Sequence, residues 1–283
     1  MKIVDSIGDI RQAVKDQKMM GKSVAFVPTM GAIHDGHLSL MKLARKQADV
    51  VVVSIYVNPE QFGPNEDFSL YPRPLEKDLE FCKQEGIDIV FTPDDNIMYG
   101  NEKFLSIDIK QLNDHMDGGS RPGYFQGIVL VVNKLLNIVN PDMAVFGQKD
   151  IQQFQIIQQM VDEFNHDVKL LMAPIARADD GLALSSRNAY LTEDQRIIAP
   201  SLYRSLRYVE TQILNGVIEP KLMLSHQQRE LEEKGLIFDY LNVYSMKEMA
   251  PVEKLEKGKQ YIIAGAVYAG KTRLIDNLLI TLD

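Results

Sequence analysis

Two histidines stand three residues apart in the segment Pro-Thr-Met-Gly-Ala-Ile-His-Asp-Gly-His, which spans residues 28–37. An apolar run at residues 23–27 predicts a strand before them, and apolar residues recur at helical spacing after them. His34 and His37 therefore fall where a strand passes into the N-terminus of a helix. Unpaired backbone N–H groups and the positive end of the helix dipole favour an anion there, and imidazoles add donors that can gain charge. The pattern predicts a phosphate-binding turn suited to nucleotidyl transfer.

Two other interpretations of these histidines stay open at this point. A histidine near a helix start is often a cap or a surface residue, and two histidines at this spacing can also bind a metal. Zinc sites usually need a third and a fourth ligand nearby. The remaining histidines, His115, His166 and His226, are scattered, and Cys82 is the only cysteine. The strand-turn-helix context, together with Gly36 between the two rings, favours the phosphate role.

The composition of the 283 residues is that of a globular protein, with 45% hydrophobic and 25% charged residues. The formal net charge of −8 argues against a broad nucleic-acid surface, because such surfaces need clustered Lys and Arg. A single cysteine excludes an intrachain disulfide framework. The sequence shows no signal-like apolar region at its start and no run long enough to span a membrane. We therefore expect a cytoplasmic protein with neither nucleic-acid nor membrane partners.

Strands and helices alternate over the first part of the chain. Continuous β-branched residues at 50–57 indicate a strand covered on both faces, as in a parallel sheet. Further strands are predicted at 87–91, 104–109, 142–146 and 168–172, with helices at 75–84, 126–139 and 151–164. This order predicts an α/β fold with a doubly wound, Rossmann-like parallel sheet, which binds ligands beyond the carboxyl ends of its strands.

The pattern changes between Ala173 and Ser185, where Pro174, Asp180 and Gly181 mark a loop. We place the domain boundary there, giving a first domain at 1–178 and a smaller α+β domain at 179–283. Helices are predicted at 194–214 and 220–235, followed by strands of an antiparallel sheet at 237–244, 260–268 and 272–282.

A phosphate-loop pattern, G-x-x-x-x-G-K-T, occurs at residues 265–272. Phosphate binding by this motif needs a loop between a strand and a helix. Here the residues on both sides of Gly270 and Lys271 are strand-like, and few residues remain for a metal-holding strand downstream. We interpret the match as accidental and predict a hairpin turn.

Four further segments follow predicted strand ends. They are Asn-Pro-Glu-Gln-Phe at 58–62, Tyr-Pro-Arg at 71–73, Gly-Gln-Lys-Asp-Ile-Gln-Gln at 147–153 and Asp-Gly-Leu-Ala-Leu-Ser-Ser-Arg-Asn at 180–188. Together with the histidine turn, they resemble the pantothenate synthetase (pantoate–β-alanine ligase) family. The ordered match runs from about Val27 to Tyr190, with a weaker echo in Gly-Lys-Thr-Arg-Leu-Ile-Asp-Asn at 270–277. The family is similar in nucleotide fold to class I aminoacyl-tRNA synthetases and other adenylate-forming nucleotidyltransferases.

The resemblance implies a two-step ligation of pantoate to β-alanine, in which ATP is split to AMP and pyrophosphate through a pantoyl adenylate. It implies that His34 and His37 stabilise phosphate oxygens, with His37 preferred as proton donor, and that Lys149 neutralises charge on the α-phosphate or the carboxylate. Ser185, Ser186 and Arg187 resemble a mobile clamp over the β and γ phosphates, although these residues taken alone also fit a helix-capping turn.

The resemblance implies three further groups of residues. The other nucleotide contacts are Met30, Gly31, Gly147, Gln148, Asp150, Ala176 and Leu184. The pantoate contacts are Gln61 and Gln153, with Tyr71, Arg73 and Arg121 as weaker candidates. ATP implies Mg²⁺, held mainly by phosphates and water, with Asp78 as the candidate carboxylate. The resemblance also suggests a homodimer formed through the first domain.

Two alternative functions stay open from the sequence alone. A nucleotidyltransferase acting on a phosphorylated acceptor would use the same turn, but it would call for more cationic side chains than Gln61 and Gln153 supply. A nucleotide-binding module without chemistry would bind ATP and release no AMP.

The two phosphate-site candidates make opposite predictions for ATP binding. We expect Lys271→Ala to leave the Kd for ATP unchanged, because Lys271 is assigned to a hairpin turn, and His34→Ala to weaken binding. Equilibrium titration of both variants with ATP checks this. Loss of binding in Lys271→Ala with retention in His34→Ala would reverse the assignment.

Overall fold

The computed structural model describes residues 1–64, 66, 68–100 and 104–282. It divides into two compact units. The first unit comprises Met1–Ile109, Arg121–Gln148 and Gln153–Pro174, and the second comprises Lys110–Ser120, Lys149–Gln152 and Ile175–Asp283. The second unit thus takes in two short stretches that precede its main part in the chain. A functional division of the chain after residue 178 remains a prediction.

A parallel six-stranded sheet forms the centre of the first unit. Its strands are β1 (Lys2–Val4), β2 (Val24–Thr29), β3 (Val50–Ile55), β4 (Ile89–Phe91), β5 (Met143–Gly147) and β6 (Lys169–Ala173), in the order β1-β4-β3-β2-β5-β6. The strand order reverses direction between β2 and β5. In open α/β sheets, ligands bind outside the carboxyl ends of the strands at such a switch point. The predicted α/β fold class is confirmed.

Seven helices precede β6 in the described chain. They are α1 (Ile7–Met19), α2 (Asp35–Gln47), α3 (Leu75–Gln84), α4 (Asp95–Tyr99), α5 (Met116–Ser120), α6 (Tyr124–Val139) and α7 (Ile151–Glu163). In the first unit, α1 and α6 pack on each other and on β2, while α2 packs on β2, β3 and β5. Alternate residues of β2 and β3, such as Ala25 and Val51, share a buried core with Met41 of α2. Because successive side chains of a strand point to opposite faces, the remaining residues of these strands are available to the opposite layer.

The second unit contains α8 (Glu193–Ile198), α9 (Ser201–Leu214) and α10 (Lys221–Glu233), followed by the antiparallel strands β7 (Ile237–Ser245), β8 (Gln260–Ala269) and β9 (Thr272–Thr281). Leu206 of α9, Leu231 of α10 and Ile263 of β8 lie in one buried core. Strands β8 and β9 are joined by Gly270 and Lys271, with Gly270 at φ +60°. A positive φ at the first turn residue suits a two-residue hairpin, so the predicted turn is confirmed.

Two predicted elements were wrong. The helix expected at 194–214 is split into α8 and α9, because Pro200 lacks the N–H that a continuous helix requires. The strand expected at 104–109 is absent from the described chain. Phe104 and Leu105 are each 85% exposed, and residues 104–109 pair with neither edge of the sheet, which ends at β1 and β6.

No helix among the described residues is both long and apolar enough to cross a bilayer.

Arg273 of β9 joins two acidic residues within the second unit. Its guanidinium lies 2.6 Å from Asp117 Oδ1, on α5, and 2.8 Å from Asp239 Oδ2, on β7. Tyr240 donates its hydroxyl hydrogen to Asp117, and Ser120 donates to Asp239. One cation therefore balances two largely buried carboxylates and ties α5 to the sheet.

Replacing Arg273 with methionine should leave both carboxylates without this counter-ion. We expect the free energy of unfolding to fall by about 3–5 kcal/mol, the usual cost of removing one partner from a buried ion pair. Denaturant unfolding measures this. The matched control is Arg207→Met on the exposed face of α9, whose pair with Glu210 should contribute about 1 kcal/mol or less. Equal losses in the two variants would contradict the assignment.

Candidate active site

The turn after β2 is held by a buried carboxylate from α3. Asp78 is 1% exposed, and its oxygens accept hydrogen bonds from Ala32 N at 2.9 Å and from Ile33 N at 2.8 Å. Gly31 N donates to Thr29 Oγ1, and Gly31 has φ +78°. A Cβ at Gly31 would lie 2.7 Å from Asp78 Oδ2, so only glycine leaves room for this carboxylate. Burial raises the pKa of Asp78, while the two N–H donors act in the opposite direction.

His34 and His37 form a reciprocal cap at the start of α2. Gly36 N donates to His34 Nδ1 at 3.1 Å, and His34 N donates to His37 Nδ1 at 3.4 Å. The ring centroids lie 4.2 Å apart. Because each Nδ1 accepts a hydrogen bond, each neutral ring carries its proton on Nε2, where it can donate to an anion.

This arrangement corrects one detail of the sequence interpretation. The backbone N–H groups of Ala32, Ile33, His34 and Gly36 are bonded to side chains, so they are not unpaired donors. The capping interpretation and the phosphate interpretation of the histidines are therefore compatible, because capping uses Nδ1 and leaves the proton on Nε2.

Gln61 lies in a short 3-10 turn after β3, and its amide has a fixed orientation. Asn58 Oδ1 accepts from Glu60 N and from the Tyr99 hydroxyl, which makes Asn58 Nδ2 the donor to Gln61 Oε1 at 3.1 Å. Gln61 Nε2 then faces Met30 Sδ at 3.0 Å. Two predicted site residues, Gln61 and Met30, are thus in direct contact. The sequence analysis missed Asn58 and Tyr99 as supports.

Gly127 lets helix α6 pack closely against the 3-10 turn that contains Gln61. A Cβ at Gly127 would lie 2.0 Å from the carbonyl oxygen of Glu60, and Asn58 Nδ2 donates to Gly127 O at 3.2 Å. A glycine inside a long apolar helix is unfavourable by itself, so its presence was a signal that the sequence analysis did not use.

The weaker pantoate candidates have other partners in the first unit. Arg121 Nε and Nη2 each lie 2.6 Å from the carboxylate of Glu66, and its guanidinium stacks on Tyr124. Tyr71 is buried with its ring edge on Phe62, and Arg73 donates to the carbonyl oxygen of Phe68. Arg121 also reaches the backbone oxygen of Gln61 at 3.5 Å. The assignment of Tyr71 and Arg121 to pantoate remains a prediction.

Strand β5 ends at Gly147, and a single 3-10 turn of Gln148, Lys149 and Asp150 leads directly into α7. Lys149 Nζ lies 3.6 Å from Asp150 Oδ1. Gln153 follows in the first turn of α7 and is partly buried. Gln152, which sequence reasoning passed over, is 1% exposed and bonds to Leu112, His115 and Gly118 through their backbones. It ties the start of α7 to the segment Lys110–Ser120.

Residues 176–184 fold back on themselves before the Ser-Ser-Arg segment. Leu184 N donates to Ala176 O, and Arg177 forms a β-bridge with Ala183. Ser185 then caps a 3-10 turn, its Oγ accepting from Arg187 N at 3.3 Å. Ala176 and Leu184 are therefore neighbours, and Ser185, Ser186 and Arg187 follow from the same hairpin. The backbone of the Ser-Ser-Arg segment thus forms the capping turn that these residues also fit when taken alone.

Asp276 and Asn277 of β9 contact the two segments just described, the hairpin at 176–184 and the turn at 148–150. Arg177 binds the carboxylate of Asp276 through two nitrogens, at 2.5 and 2.8 Å, and Asn277 Nδ2 donates to Lys149 O at 3.0 Å. Sequence reasoning gave Arg177, Asp276 and Asn277 no role.

The described residues include no cluster of protein ligands that could hold Mg²⁺ by themselves. Both oxygens of Asp78 are engaged by backbone N–H groups, and within the described part of the chain no three His, Cys, Asp or Glu side chains are grouped so that they could hold a metal ion. Asp78 as a magnesium ligand remains a prediction, whereas its support of the turn is observed.

The fold and these residues define a class: an α/β protein with two paired imidazoles at the switch point of its parallel sheet, where such folds bind ligands. The sequence matches the family model of pantoate-beta-alanine ligase over residues 2–279. It is 45% identical to a pantothenate synthetase from Coprothermobacter proteolyticus and 46% identical to one from Carboxydothermus hydrogenoformans, covering 99–100% of each chain. The chain belongs to the pantoate–β-alanine ligase family.

Solved structures agree with this assignment. Pantothenate synthetase from Thermus thermophilus is 36% identical with a TM-score of 0.88, covering 98% of this chain and 99% of that one. Pantoate-beta-alanine ligase from Francisella tularensis, solved in complex with β-γ ATP and β-alanine, is 34% identical with a TM-score of 0.80, covering 99% and 97%. This chain is thus a carbon–nitrogen ligase that joins pantoate to β-alanine using ATP.

Replacing Asp78 with asparagine should loosen the turn between β2 and α2. The new amide NH₂ would face a backbone N–H, so we expect a stability loss of about 1–3 kcal/mol and a fall in kcat of about tenfold from the displaced turn. Denaturant unfolding and steady-state kinetics measure these effects, with the exposed Glu76→Gln of the same helix as control. Unchanged stability with a raised Mg²⁺ requirement would instead support a metal ligand.

Proposed function

We propose that this chain activates pantoate as an acyl adenylate before it forms the amide. A carboxylate is a poor acyl donor. One carboxylate oxygen of pantoate therefore attacks the α-phosphorus of ATP, and the bond from that phosphorus to the pyrophosphate oxygen breaks. The amine of β-alanine then attacks the acyl carbon, loses a proton, and AMP leaves with the anhydride oxygen. Both steps build negative charge on oxygens that need fixed donors.

His34 and His37 act on the phosphates. The observation that carries this proposal is their pairing at the N-terminus of α2, where each Nδ1 is occupied by a backbone N–H and each neutral ring holds its proton on Nε2. The helix dipole adds a favourable potential for an anion. His37 serves as the proton donor to the departing pyrophosphate, and His34 stabilises a non-bridging oxygen.

Lys149 and the Ser-Ser-Arg segment supply the remaining donors. Lys149 neutralises charge on the α-phosphate or on the pantoate carboxylate, and Arg187 grips two phosphate oxygens with its planar fork. The hydroxyls of Ser185 and Ser186 donate to the β and γ phosphates. The rest of the nucleotide is contacted by Met30, Gly31, Gly147, Gln148, Asp150, Ala176 and Leu184.

Gln61 and Gln153 bind pantoate. An amide both donates and accepts, so it can pair with a hydroxyl and a carboxylate of the same substrate. The amide of Gln61 is oriented in advance by Asn58, which lowers the entropy lost when pantoate binds. A site built this way disfavours an analogue that lacks the hydroxyl, because a buried amide would be left unpaired.

Three further properties belong to this proposal. Mg²⁺ enters with ATP and is held mainly by phosphates and water, with Asp78 as the candidate carboxylate. The protein works as a homodimer formed through the first domain, as its resemblance to the family suggests. It acts in the cytoplasm, where ATP is available.

Pyrophosphate exchange tests the proposal directly. With ATP and Mg²⁺, labelled pyrophosphate should enter ATP only when pantoate is present, and adding β-alanine should release AMP in equal amount to the amide. We expect His37→Ala to slow exchange by about 10²-fold or more, while His226→Ala, on the exposed surface of α10, should have no effect. Exchange that proceeds without pantoate would reject the acyl adenylate.

A further inference from the structure

Strand β9 presents its alternate residues to two different layers of the second unit. Leu274 and Ile280 face the core shared with α9 and α10, and Asp276 lies on the same side by alternation. Arg273 and Asn277 lie on the other side. Arg273 contacts Asp117 and Asn277 contacts Lys149, and these two partners belong to the stretches Lys110–Ser120 and Lys149–Gln152. One face of β9 therefore receives the backbone that carries Lys149.

The contact at Lys149 is made through its main chain. Asn277 is 1% exposed, and its Nδ2 donates to the carbonyl oxygen of Lys149 at 3.0 Å. Lys149 is the middle residue of a single 3-10 turn, which is too short to hold its own geometry firmly. A buried side-chain amide that binds this carbonyl fixes the point from which the long lysine side chain extends.

Asn277 is itself fixed from the opposite face of the strand. Its backbone N–H donates to Asp276 Oδ1 at 2.7 Å, and Asp276 is bound by both terminal nitrogens of Arg177. The Arg177 guanidinium also stacks on Tyr203 of α9 at 4.0 Å. Burial raises the pKa of Asp276, and the positive charges of Arg177 and Lys149 act in the opposite direction. The charge of Lys149 therefore favours the ionised form of the Asp276 carboxylate.

We propose that Asn277, held by the Asp276–Arg177 pair, is a positioning residue that places Lys149 where its ammonium neutralises charge at the α-phosphate while pantoate attacks. The inference rests on the function proposed above for Lys149. Asn277 touches neither reactant in this scheme and acts only through the lysine. Misplacing a reacting group by about 1 Å can lower a rate by up to about 10²-fold, so the loss of one backbone contact should be visible in kcat.

A double-mutant cycle separates this role from general packing. The rate of pantoate-dependent pyrophosphate exchange is measured for the unchanged protein, Asn277→Ala, Lys149→Ala and the double variant. We expect Asn277→Ala to lower kcat about tenfold when Lys149 is present and less than about twofold when it is absent, with the KM for pantoate little changed. The same fold loss in both backgrounds would overturn the inference.

A second variant covers the chance that Asn277→Ala is unstable. Asn277→Asp keeps the volume but replaces the Nδ2 donor with an acceptor, and its cycle with Lys149 is judged by the same criterion. Thr281→Ala, an exposed substitution on the same strand, is the control and should leave both kcat and the melting temperature unchanged. If Lys149→Ala alone leaves exchange unaffected, the proposed role of Lys149 fails, which is distinct from an additive cycle.

Discussion

The buried carboxylate of Asp78 is the constraint on which the turn between β2 and α2, at residues 30–34, depends. It accepts hydrogen bonds from the N–H groups of Ala32 and Ile33, just before the start of α2. The imidazoles accept hydrogen bonds from the N–H groups of His34 and Gly36. In the proposed reaction the phosphate anion is therefore met by the Nε2 protons of the rings, with the helix dipole behind them. Imidazoles can gain a proton and backbone amides cannot, so this exchange of donors suits a reaction in which phosphate charge grows.

Much of the fold could be predicted because its signals are local. The β-branched run of β3 and the apolar spacing of α2 and α6 depend on residues that are close in sequence, and each element lies where its pattern indicates. The errors have local causes too. Pro200 splits a helix whose amphipathic spacing continues across it. Residues 104–109 look like a strand but have no partner in the described sheet, and a strand needs a neighbouring edge that sequence spacing alone does not show.

The local geometry of the candidate site was predictable where contacting residues are near in sequence. The spacing of His34 and His37 placed them at the start of α2, where the structure has them, and Asn58 stands close enough to Gln61 that their contact could have been expected. Asp78 was predicted only as a candidate Mg²⁺ ligand, and its hydrogen bonds to the turn were not foreseen because they join residues 46 positions apart. The contact between Asn277 and Lys149 spans 128 positions. Such contacts follow from the packing of the chain, which no local pattern records.

These long-range contacts share a physical purpose. Fixing the backbone of one residue costs about 1–2 kcal/mol of conformational freedom, and an enzyme that fixes it only when substrate binds loses that amount from binding. Holding the backbone of Lys149 and the hairpin before Arg187 by buried polar groups moves part of this cost to folding. The ion pair between Arg177 and Asp276 serves both segments, since Arg177 lies in that hairpin and Asp276 adjoins Asn277. A buried ion pair adds little net stability by itself, so its value here lies in setting the positions of the two segments, within one unit, that we propose contact phosphate.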